Sequence, residues 1–346
     1  MDHPARFAQR SGRLAIRTRL CRLPCRQDQS KEIAHLRKIV EVAAAVMLRA
    51  DGAFLLGRRP PGSVYAGYWE FPGGKVEAGG TPKQALVREL QEELGIVVNL
   101  AYPWIVREFD YEHAHVRLHF FRVVDWSEEV RDLQHDALAW QHAGTAGVAP
   151  MLPANAPVLA ALGLPDFYAI SNAADIGVEA QMAQLAKKLE QGLSLVQLRE
   201  PALPAGPKAA FAAAAVRLCR SHSARVLINS DAELALKTGA DGIHLNATQL
   251  MATTSRPDFP LVAASTHNAE ELAQAARLGL DFVVLGPVRE TATHPGQPGI
   301  GWQALERLIA TTPIPVYALG GLNHTDLVPA WQAGAHGIAA IRAAWT

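Results

Sequence analysis

Three glutamates, Glu89, Glu92 and Glu93, stand at positions i, i+3 and i+4 of one segment. If the segment is helical, they share one face. Carboxylates crowded in this way repel one another unless a cation joins them, and a set of oxygen ligands favours Mg²⁺, Mn²⁺ or Ca²⁺ over Zn²⁺. The pair Gly73–Gly74 can turn the backbone sharply and bring a carbonyl to the same ion. We therefore predict a site for a hard divalent cation suited to attack of water on a phosphoanhydride; the alternative is a solvated acidic helix face.

A helix that carries these glutamates is predicted from its ends. Thr81 followed by Pro82 is typical of a helix start, and Gly95 after Leu94 is typical of a helix end. The apolar positions fall on a different face from the acids, and they are Leu86, Leu90 and Leu94. The helix can therefore pack into a core on one side and present carboxylates on the other.

The rest of the first half reads as short strands. Ile39–Leu48 and 53–56 are separated by Asp51–Gly52, which predicts a β-hairpin. Further elements are predicted near Trp104–Arg107, Val116–Val124, Ala137–Gln141 and Pro153–Leu162.

In the second half, apolar runs alternate with Ala- and Leu-rich helical stretches. This alternation predicts a (β/α)₈ barrel. The eight candidate strands are Phe167–Ile170, Leu195–Leu198, Val226–Ile228, Gly242–Leu245, Leu261–Ala264, Phe282–Leu285, Val316–Leu319 and Gly337–Ile341.

The acidic segment resembles the Nudix box, a long pattern of spaced glycines, glutamates and aliphatic residues. The matching residues are Gly74, Arg88, Glu89, Leu90, Glu92, Glu93, Gly95 and Ile96. The resemblance implies that Mg²⁺, with Mn²⁺ as an alternative, is held by Glu89, Glu92, Glu93 and the Gly74 carbonyl, and that these three glutamates are catalytic. The first box glutamate is replaced by Gly80, which affects loop support and rate more than reaction class.

Beyond the box, the first half is similar to MutT-type 8-oxo-dGTP diphosphatases. The stretches that carry the similarity are Gly57–Arg59, Trp69–Pro72 and Pro153–Val158. It implies that Arg59, Phe71 and Asn155 bind the nucleotide, with the Asn155 amide offering both a donor and an acceptor to a base. The alternative for Asn155 is an ordinary turn or helix cap.

A further acid of the MutT type falls on Gln134 in this chain. Glutamine brings neither charge nor basicity, although Asp132 or Asp136 could substitute through a loop shift. The general base is therefore left open between Glu89 or Glu93 and a water activated by the cation.

The second half resembles thiamine-phosphate synthase and TenI-like thiazole tautomerase proteins. The matching pieces are Leu195–Glu200, Gly239–Leu245, Ser265–His267, Gly286–Val288 and Ala318–Gly321. The resemblance implies that Gln197 and Arg199 bind substrate, that Gly320 and Gly321 offer backbone N–H groups to a phosphate, and that His267 stands where the tautomerase has its proton-transferring histidine. A structural role for His267 is the alternative.

Several residues that the synthase uses for chemistry are replaced in this chain. Its two Mg²⁺-binding aspartates fall on Ser230 and Gln249, and its two lysines fall on Pro201 and His294. Without those carboxylates the chain lacks a site for the metal that holds a pyrophosphate substrate. We therefore predict absent or weak synthase activity.

Composition restricts the function further. The formal net charge is 0, so nothing global indicates nucleic acid or an anionic membrane as a partner. Three cysteines cannot form a disulfide framework, which favours a cytoplasmic location. The arginine-rich residues 1–36 are predicted to be a disordered tail or a start-site extension, with a mitochondrial-type transit segment as the alternative.

The sequence thus predicts an α/β chain of two domains, a Nudix α/β/α sandwich over residues 37–163 and a TIM barrel over 166–346. The leading hypothesis is hydrolysis of 8-oxo-dGTP to the monophosphate and pyrophosphate, in nucleotide-pool sanitation and DNA repair. A second hypothesis is hydrolysis or tautomerisation of thiamine-pathway phosphates. In a third, the barrel is a non-catalytic module that binds a thiazole or thiamine phosphate.

Overall fold

The computed structural model describes residues 38–145, 147–291, 296 and 298–346. The predicted tail over residues 1–36 and the position His294 lie outside the described residues. Residues 39–346 form one compact unit.

The N-terminal half contains two β-sheets. One has the strand order β4-β1-β6-β5 and the other the order β3-β2-β7. The strands are β1 (Ile39–Met47), β2 (Phe54–Arg58), β3 (Trp69–Glu70), β4 (Gly73–Lys75), β5 (Val97–Asp110), β6 (His115–Ser127) and β7 (Ala137–Gln141). The helices are α1 (Pro82–Leu94) and α2 (Ala156–Leu162), the latter preceded by a 3-10 turn at Pro153–Asn155.

The first sheet lies between the two helices. On one face Leu86 and Leu90 of α1 pack against Ala43 and Met47 of β1. On the other face a second core cluster gathers Phe120 with Phe54 and with Val158 of α2. This is the α/β/α arrangement that the sequence predicts, and alternate residues of β1 supply both cores.

The predicted hairpin between β1 and β2 is wrong beyond its turn. The turn forms, with Asp51 accepting a hydrogen bond from the Ala53 amide at 3.0 Å, but only an isolated bridge joins Leu48 and Phe54. Strand β1 pairs with β6 along its whole length and with β4 at Val42–Ala44, whereas β2 pairs with β3 and β7. Strand β2 therefore enters the second sheet.

The C-terminal half is a closed barrel of eight parallel strands, as predicted. The strands are β8 (Phe167–Ile170), β9 (Leu195–Leu198), β10 (Arg225–Asn229), β11 (Gly242–Leu245), β12 (Leu261–Thr266), β13 (Phe282–Leu285), β14 (Val316–Leu319) and β15 (Gly337–Ala340). The helices are α3 (Ala173–Ile176), α4 (Val178–Glu190), α5 (Ala205–Ser221), α6 (Ala232–Thr238), α7 (Ala247–Ala252), α8 (Ala269–Leu278), α9 (Gly301–Ile309) and α10 (Leu327–Gln332), with 3-10 turns at His324–Asp326 and Arg342–Ala344.

Strands β5 and β6 contact the N-terminal ends of the barrel strands. Arg122 of β6 donates a hydrogen bond from Nη1 to the His336 carbonyl at 2.8 Å. Its Nη2 lies 2.7 Å from His336 Nδ1. Arg107 of β5 donates to the Pro313 carbonyl at 2.8 Å. Because both barrel residues precede strands, the first half lies at the end of the barrel opposite the carboxyl ends of the strands, where barrel active sites form.

Candidate functional site

Helix α1 holds its acidic residues at fixed positions. At its start the Thr81 side chain accepts from the Gln84 amide while the Gln84 side chain accepts from the Thr81 amide, which satisfies two helix-end donors. At its end Gly95 adopts a left-handed conformation with φ 69°. The predicted helix bounds are confirmed, and Leu86, Leu90 and Leu94 are fully buried as predicted.

Glu93 lies against the strand that precedes the helix. Its carboxylate accepts a hydrogen bond from the Gly73 amide at 2.9 Å. Gly73 has φ 147°, and a Cβ there would lie 2.0 Å from the Ala43 carbonyl oxygen. Only glycine fits this close approach, so Gly73 allows the backbone amide to reach Glu93.

Glu89 lies beside Gly74. A Cβ on Gly74 would lie 2.2 Å from the Glu89 carboxylate carbon, so this glycine makes room for the acid. The Glu89 carboxylate also accepts from Arg88 at 2.7 Å, and its side chain is 15% exposed. Glu89, Glu93 and the Gly73–Gly74 backbone are therefore together, as the sequence predicts.

Glu92 lies apart from this pair. Its side chain is 49% exposed, and its nearest ionic partner is Arg88 at 3.5 Å. Over the described ranges, no group of three or more His, Cys, Asp or Glu side chains is close enough to hold a metal ion. The three predicted ligands share a helical turn, but their side chains do not converge on one point.

Glu70 lies near Glu93 and was not identified from the sequence; Glu70, Glu89, Glu93, Gly73 and Arg59 are together called the cleft below. Arg59 Nη1 donates to both Glu70 carboxylate oxygens, at 2.8 and 2.7 Å, while its Nε donates to the Val64 carbonyl at 2.6 Å. The sequence signal was an acid between two buried aromatics, Trp69 and Phe71. The predicted nucleotide-binding Arg59 is thus held in place by a carboxylate.

Burial raises the pKa of Glu93 to about 8, against the lowering effect of the Gly73 hydrogen bond, and the nearby Glu70 and Glu89 carboxylates raise it further. Burial also raises the pKa of Glu70, although Arg59 opposes this. Partly buried carboxylates that lie close together suit a hard divalent cation, which prefers oxygen ligands. The cation would offset the cost of burying the charges and the repulsion between them. The donor chemistry of these residues therefore fits Mg²⁺, whereas their side chains as placed do not yet converge on one point.

Binding of Mg²⁺ is expected to release close to one proton per chain at about pH 7. With its pKa near 8, Glu93 is mostly protonated in the metal-free protein, whereas a carboxylate that holds a cation must be ionised. Affinity should therefore rise with pH and level off above about pH 8. Calorimetry in buffers of different ionisation enthalpy measures the released protons, and release near zero at neutral pH would contradict the prediction.

The other two predicted nucleotide contacts are buried. Phe71 is 3% exposed and packs between Phe54 and Phe120, with ring centroids at 6.0 and 5.9 Å, so its side chain belongs to the core. Asn155 is also 3% exposed, and its amide nitrogen lies 3.9 Å from the Met151 sulfur. A buried amide with so weak a partner retains hydrogen-bonding capacity.

The barrel contains a cavity of about 430 Å³ at the carboxyl ends of its strands. All five residues predicted for this half line it, and they are Gln197, Arg199, His267, Gly320 and Gly321. His244, Ser265 and Arg342 also line the cavity and were not singled out from the sequence. A spacing pattern could not find them, since closure of the barrel alone brings strands β11, β12 and β15 around one space.

His267 stands at the rim of this cavity. Its side chain is 55% exposed, and Nδ1 lies 3.0 Å from the Glu271 carboxylate, which also accepts from the His267 amide at 2.6 Å. The carboxylate orients the ring and leaves Nε2 accessible.

Two family models match this chain. The NUDIX domain model matches residues 38–162, and the model described as thiamine monophosphate synthase matches residues 167–344. The chain belongs to both families. The Nudix half is 40% identical to the CTP pyrophosphohydrolase of Escherichia coli (strain K12), over 36% of this chain and 91% of that protein.

The synthase half is 34% identical to the putative thiamine-phosphate synthase 2 of Aquifex aeolicus (strain VF5), over 51% of this chain and 96% of that protein. Among solved structures, the solution structure of the E. coli ORF135 protein matches the Nudix half with 40% identity and a TM-score of 0.33, over 36% of this chain and 87% of that chain.

Ser230 and Gln249 stand at the two positions where the resemblance to the synthase places metal-binding aspartates. Ser230 adopts a left-handed φ of 60°, and its carbonyl accepts from Gln249 Nε2 at 3.0 Å. Gln249 also completes a capping box with Asn246 at the start of α7. These two residues thus join neighbouring loops and supply no carboxylate.

Gln134 stands at the position where the resemblance to the MutT type places a further acid. Its amide donates to the Glu92 carbonyl at 3.3 Å, near the end of α1. Asp136, one of the two suggested substitutes, pairs with Arg58 at 2.6 Å. Neither residue adds a free carboxylate to the cleft.

Among the described residues, no helix is long and apolar enough to cross a membrane.

Proposed function

We propose that the Nudix half hydrolyses a nucleoside triphosphate to the monophosphate and pyrophosphate. The observation that carries this proposal is the cleft in which Glu93 accepts from Gly73 and Glu89 lies against Gly74, beside the Arg59–Glu70 pair. Carboxylates suited to a cation thus lie close to a guanidinium suited to a phosphate or a base.

Each residue of the site has a role in the proposed reaction. Glu89, Glu92 and Glu93 would hold Mg²⁺ with help from the Gly74 carbonyl. When bound, the cation neutralises phosphate charge and makes a water more acidic. Arg59 orients the triphosphate, and Glu70 keeps the guanidinium at the cleft until substrate arrives. The general base is Glu89 or Glu93, with a water activated by the cation as the alternative.

For the substrate we propose 8-oxo-dGTP first, because the MutT-type stretches around Arg59 and Asn155 match and the buried Asn155 amide can read a base edge. CTP is the competing substrate, because a 40% identical relative is a CTP pyrophosphohydrolase. Pyrophosphate release from 8-oxo-dGTP, dGTP, CTP and thiamine pyrophosphate separates them. A clear preference for thiamine pyrophosphate would defeat the nucleotide proposal.

For the synthase half we propose binding of a small phosphorylated ligand, such as a thiazole or thiamine phosphate, with weak or no synthase activity. Gly320 and Gly321 offer backbone amides at the cavity, Arg199 and Arg342 offer charge, and His267 offers an accessible ring nitrogen. Ser230 and Gln249 supply no carboxylate for a metal. We further propose domain limits of 37–163 and 166–346.

Replacing Glu92 with glutamine is expected to lower turnover by at least about tenfold, because the variant removes one charge that would stabilise the bound cation. The Glu92 side chain is 49% exposed, so the substitution removes few buried contacts and the fold should be retained. Steady-state pyrophosphate release at saturating Mg²⁺ measures the effect. Unchanged turnover would count heavily against the assigned site.

A further inference from the structure

The loop that joins β6 to β7 is held on two sides. The Leu133 amide donates to the Glu93 carbonyl at 3.0 Å, near the end of α1. Three residues later the Asp136 amide donates to the Arg58 carbonyl of β2 at 2.8 Å, and the two side chains form an ion pair at 2.6 Å. His135 lies between these two attachments, so helix α1 and strand β2 together set its position.

The imidazole of His135 occupies the space that a side chain on Gly57 would fill. A Cβ on Gly57 would lie 2.3 Å from His135 Cδ2 and 2.5 Å from Nε2, so the glycine leaves room for the ring. Gly57 of β2 pairs directly with Glu70 of β3. Residues paired in this way point to the same face, with their Cβ positions about 5 Å apart. The ring therefore lies beside the Glu70 side chain, at the border of the cleft.

This face of the second sheet is the one that faces α1. Leu138, which pairs with Gly57 on the other side of β2, packs against the core cluster of that helix. Phe71 belongs to the other core cluster, on the side of α2, and Asn155 directly precedes α2. His135 therefore lies on the side of the predicted cation ligands, whereas the residue proposed to read the base lies on the other side.

The ring of His135 has unused hydrogen-bonding capacity. Within the described part of the chain, its Nδ1 is buried without a hydrogen-bond partner, and its Nε2 forms no hydrogen bond. Polar atoms that a fold buries are nearly always paired, so an unpaired ring in a cleft points to a partner from outside the fold. The preceding Gln134 has no such capacity to spare at its amide, which already donates to the Glu92 carbonyl.

The ring is neutral at physiological pH. Burial lowers the pKa of His135 below its usual value of 6.5, Asp132 opposes this shift, and the positive charge of Arg59 reinforces it. A neutral imidazole carries one donor and one acceptor nitrogen. Because Nδ1 is enclosed by protein, the donor that can meet an incoming oxygen is Nε2–H.

We propose that His135 is a substrate-binding residue of the Nudix half, whose Nε2–H donates a hydrogen bond to an oxygen of the phosphate chain held by Arg59. A phosphate chain presents acceptor oxygens, and it therefore matches a guanidinium and an imidazole N–H that lie near each other. The nucleobase is not the partner of His135, because Asn155 lies on the opposite side of the sheet. This inference rests on the proposed hydrolysis of a nucleoside triphosphate.

Two substitutions of His135 separate this hydrogen bond from a structural role. Glutamine can place an amide N–H where Nε2 stands, whereas asparagine is one methylene shorter and reaches only the position of Nδ1. Calorimetry on the full chain, at a fixed Mg²⁺ concentration, measures binding of dGTP and CTP analogues that carry an imido link between the α- and β-phosphates. We expect His135→Asn to weaken binding about tenfold and His135→Gln to stay within about threefold of the wild type.

His142→Asn is the matched control, because it makes the same chemical change at an exposed position after β7. Its binding should stay within about twofold of the wild type. Inorganic tripolyphosphate is the second probe, since it has the phosphate chain without a nucleoside. The loss of about tenfold in His135→Asn should appear with this probe as well.

The outcomes separate the two proposals. Unchanged binding in His135→Asn, or an equal loss in His135→Asn and His135→Gln, overturns the hydrogen bond from Nε2 but leaves the hydrolysis proposal. A loss seen with the nucleotide analogues but not with tripolyphosphate overturns the assignment to the phosphate chain. If the wild type binds none of these probes and releases no pyrophosphate from any nucleoside triphosphate, the proposed hydrolysis itself fails.

Discussion

Replacing Glu93 with glutamine is expected to lower turnover of the preferred nucleoside triphosphate by about a hundredfold or more. Of the three box glutamates, Glu93 is the one that accepts a hydrogen bond from the Gly73 backbone, with Glu70 and Glu89 nearby. Glutamine keeps the shape and an oxygen for that amide but removes the negative charge. A partly buried charge stabilises a bound cation more than an exposed charge does. Turnover should therefore fall further in Glu93→Gln than in Glu92→Gln.

The measurement is pyrophosphate release over a Mg²⁺ series, which separates weaker binding of the cation from slower turnover. Glu129→Gln provides a control, because it makes the same chemical change at an exposed position after β6. Its turnover should stay within about twofold of the wild type, as expected for surface substitutions. If Glu93→Gln kept turnover within about threefold at saturating Mg²⁺, the cleft would not be the hydrolytic site.

Replacing Arg122 with alanine is expected to lower the free energy of unfolding by about 3 kcal/mol. The side chain is 8% exposed, and its guanidinium bonds the His336 carbonyl and imidazole while lying over the Trp104 ring at 4.3 Å. Burial lowers the pKa of Arg122 to about 10. Truncation would leave the buried polar groups of His336 without these bonds and open a void between the two halves.

Urea unfolding of the full chain, followed by tryptophan fluorescence, measures this loss. Arg117→Ala is the matched control, because Arg117 lies on the same strand and forms two ion pairs, to Glu41 at 2.9 Å and Glu108 at 2.6 Å. Its partly exposed pairs should contribute about 1 kcal/mol or less. A loss below about 1 kcal/mol in Arg122→Ala would show that the contact between the halves contributes little to stability.

The contact at Arg122 also determines where the Nudix site lies relative to the barrel cavity. It joins the Nudix sheet to the N-terminal ends of the barrel strands, whereas the cavity lies at their carboxyl ends. The barrel itself therefore separates that cavity from the attached half. The proposed hydrolysis and the proposed ligand binding therefore take place at separate sites, and Glu93→Gln should leave ligand binding by the barrel unchanged.

Local sequence determined much of this protein. Thr81, Pro82 and Gly95 specify the ends of α1 because caps act on adjacent backbone groups. The period of Leu86, Leu90 and Leu94 fixes which face is buried. The barrel strands could be predicted for a similar reason, because fully buried parallel strands have sequences that are short apolar runs between helices.

Tertiary structure alone decided the rest. The β1–β2 hairpin does not extend beyond its turn because β2 pairs with β3 and β7, distant partners that no local signal can show. Glu70 joined the cleft, and His244 came to face Ser265, because residues far apart in the chain pack together on folding. The orientation of Glu92 toward Arg88 and solvent likewise depends on side-chain packing and charge, which helical spacing constrains but does not fix.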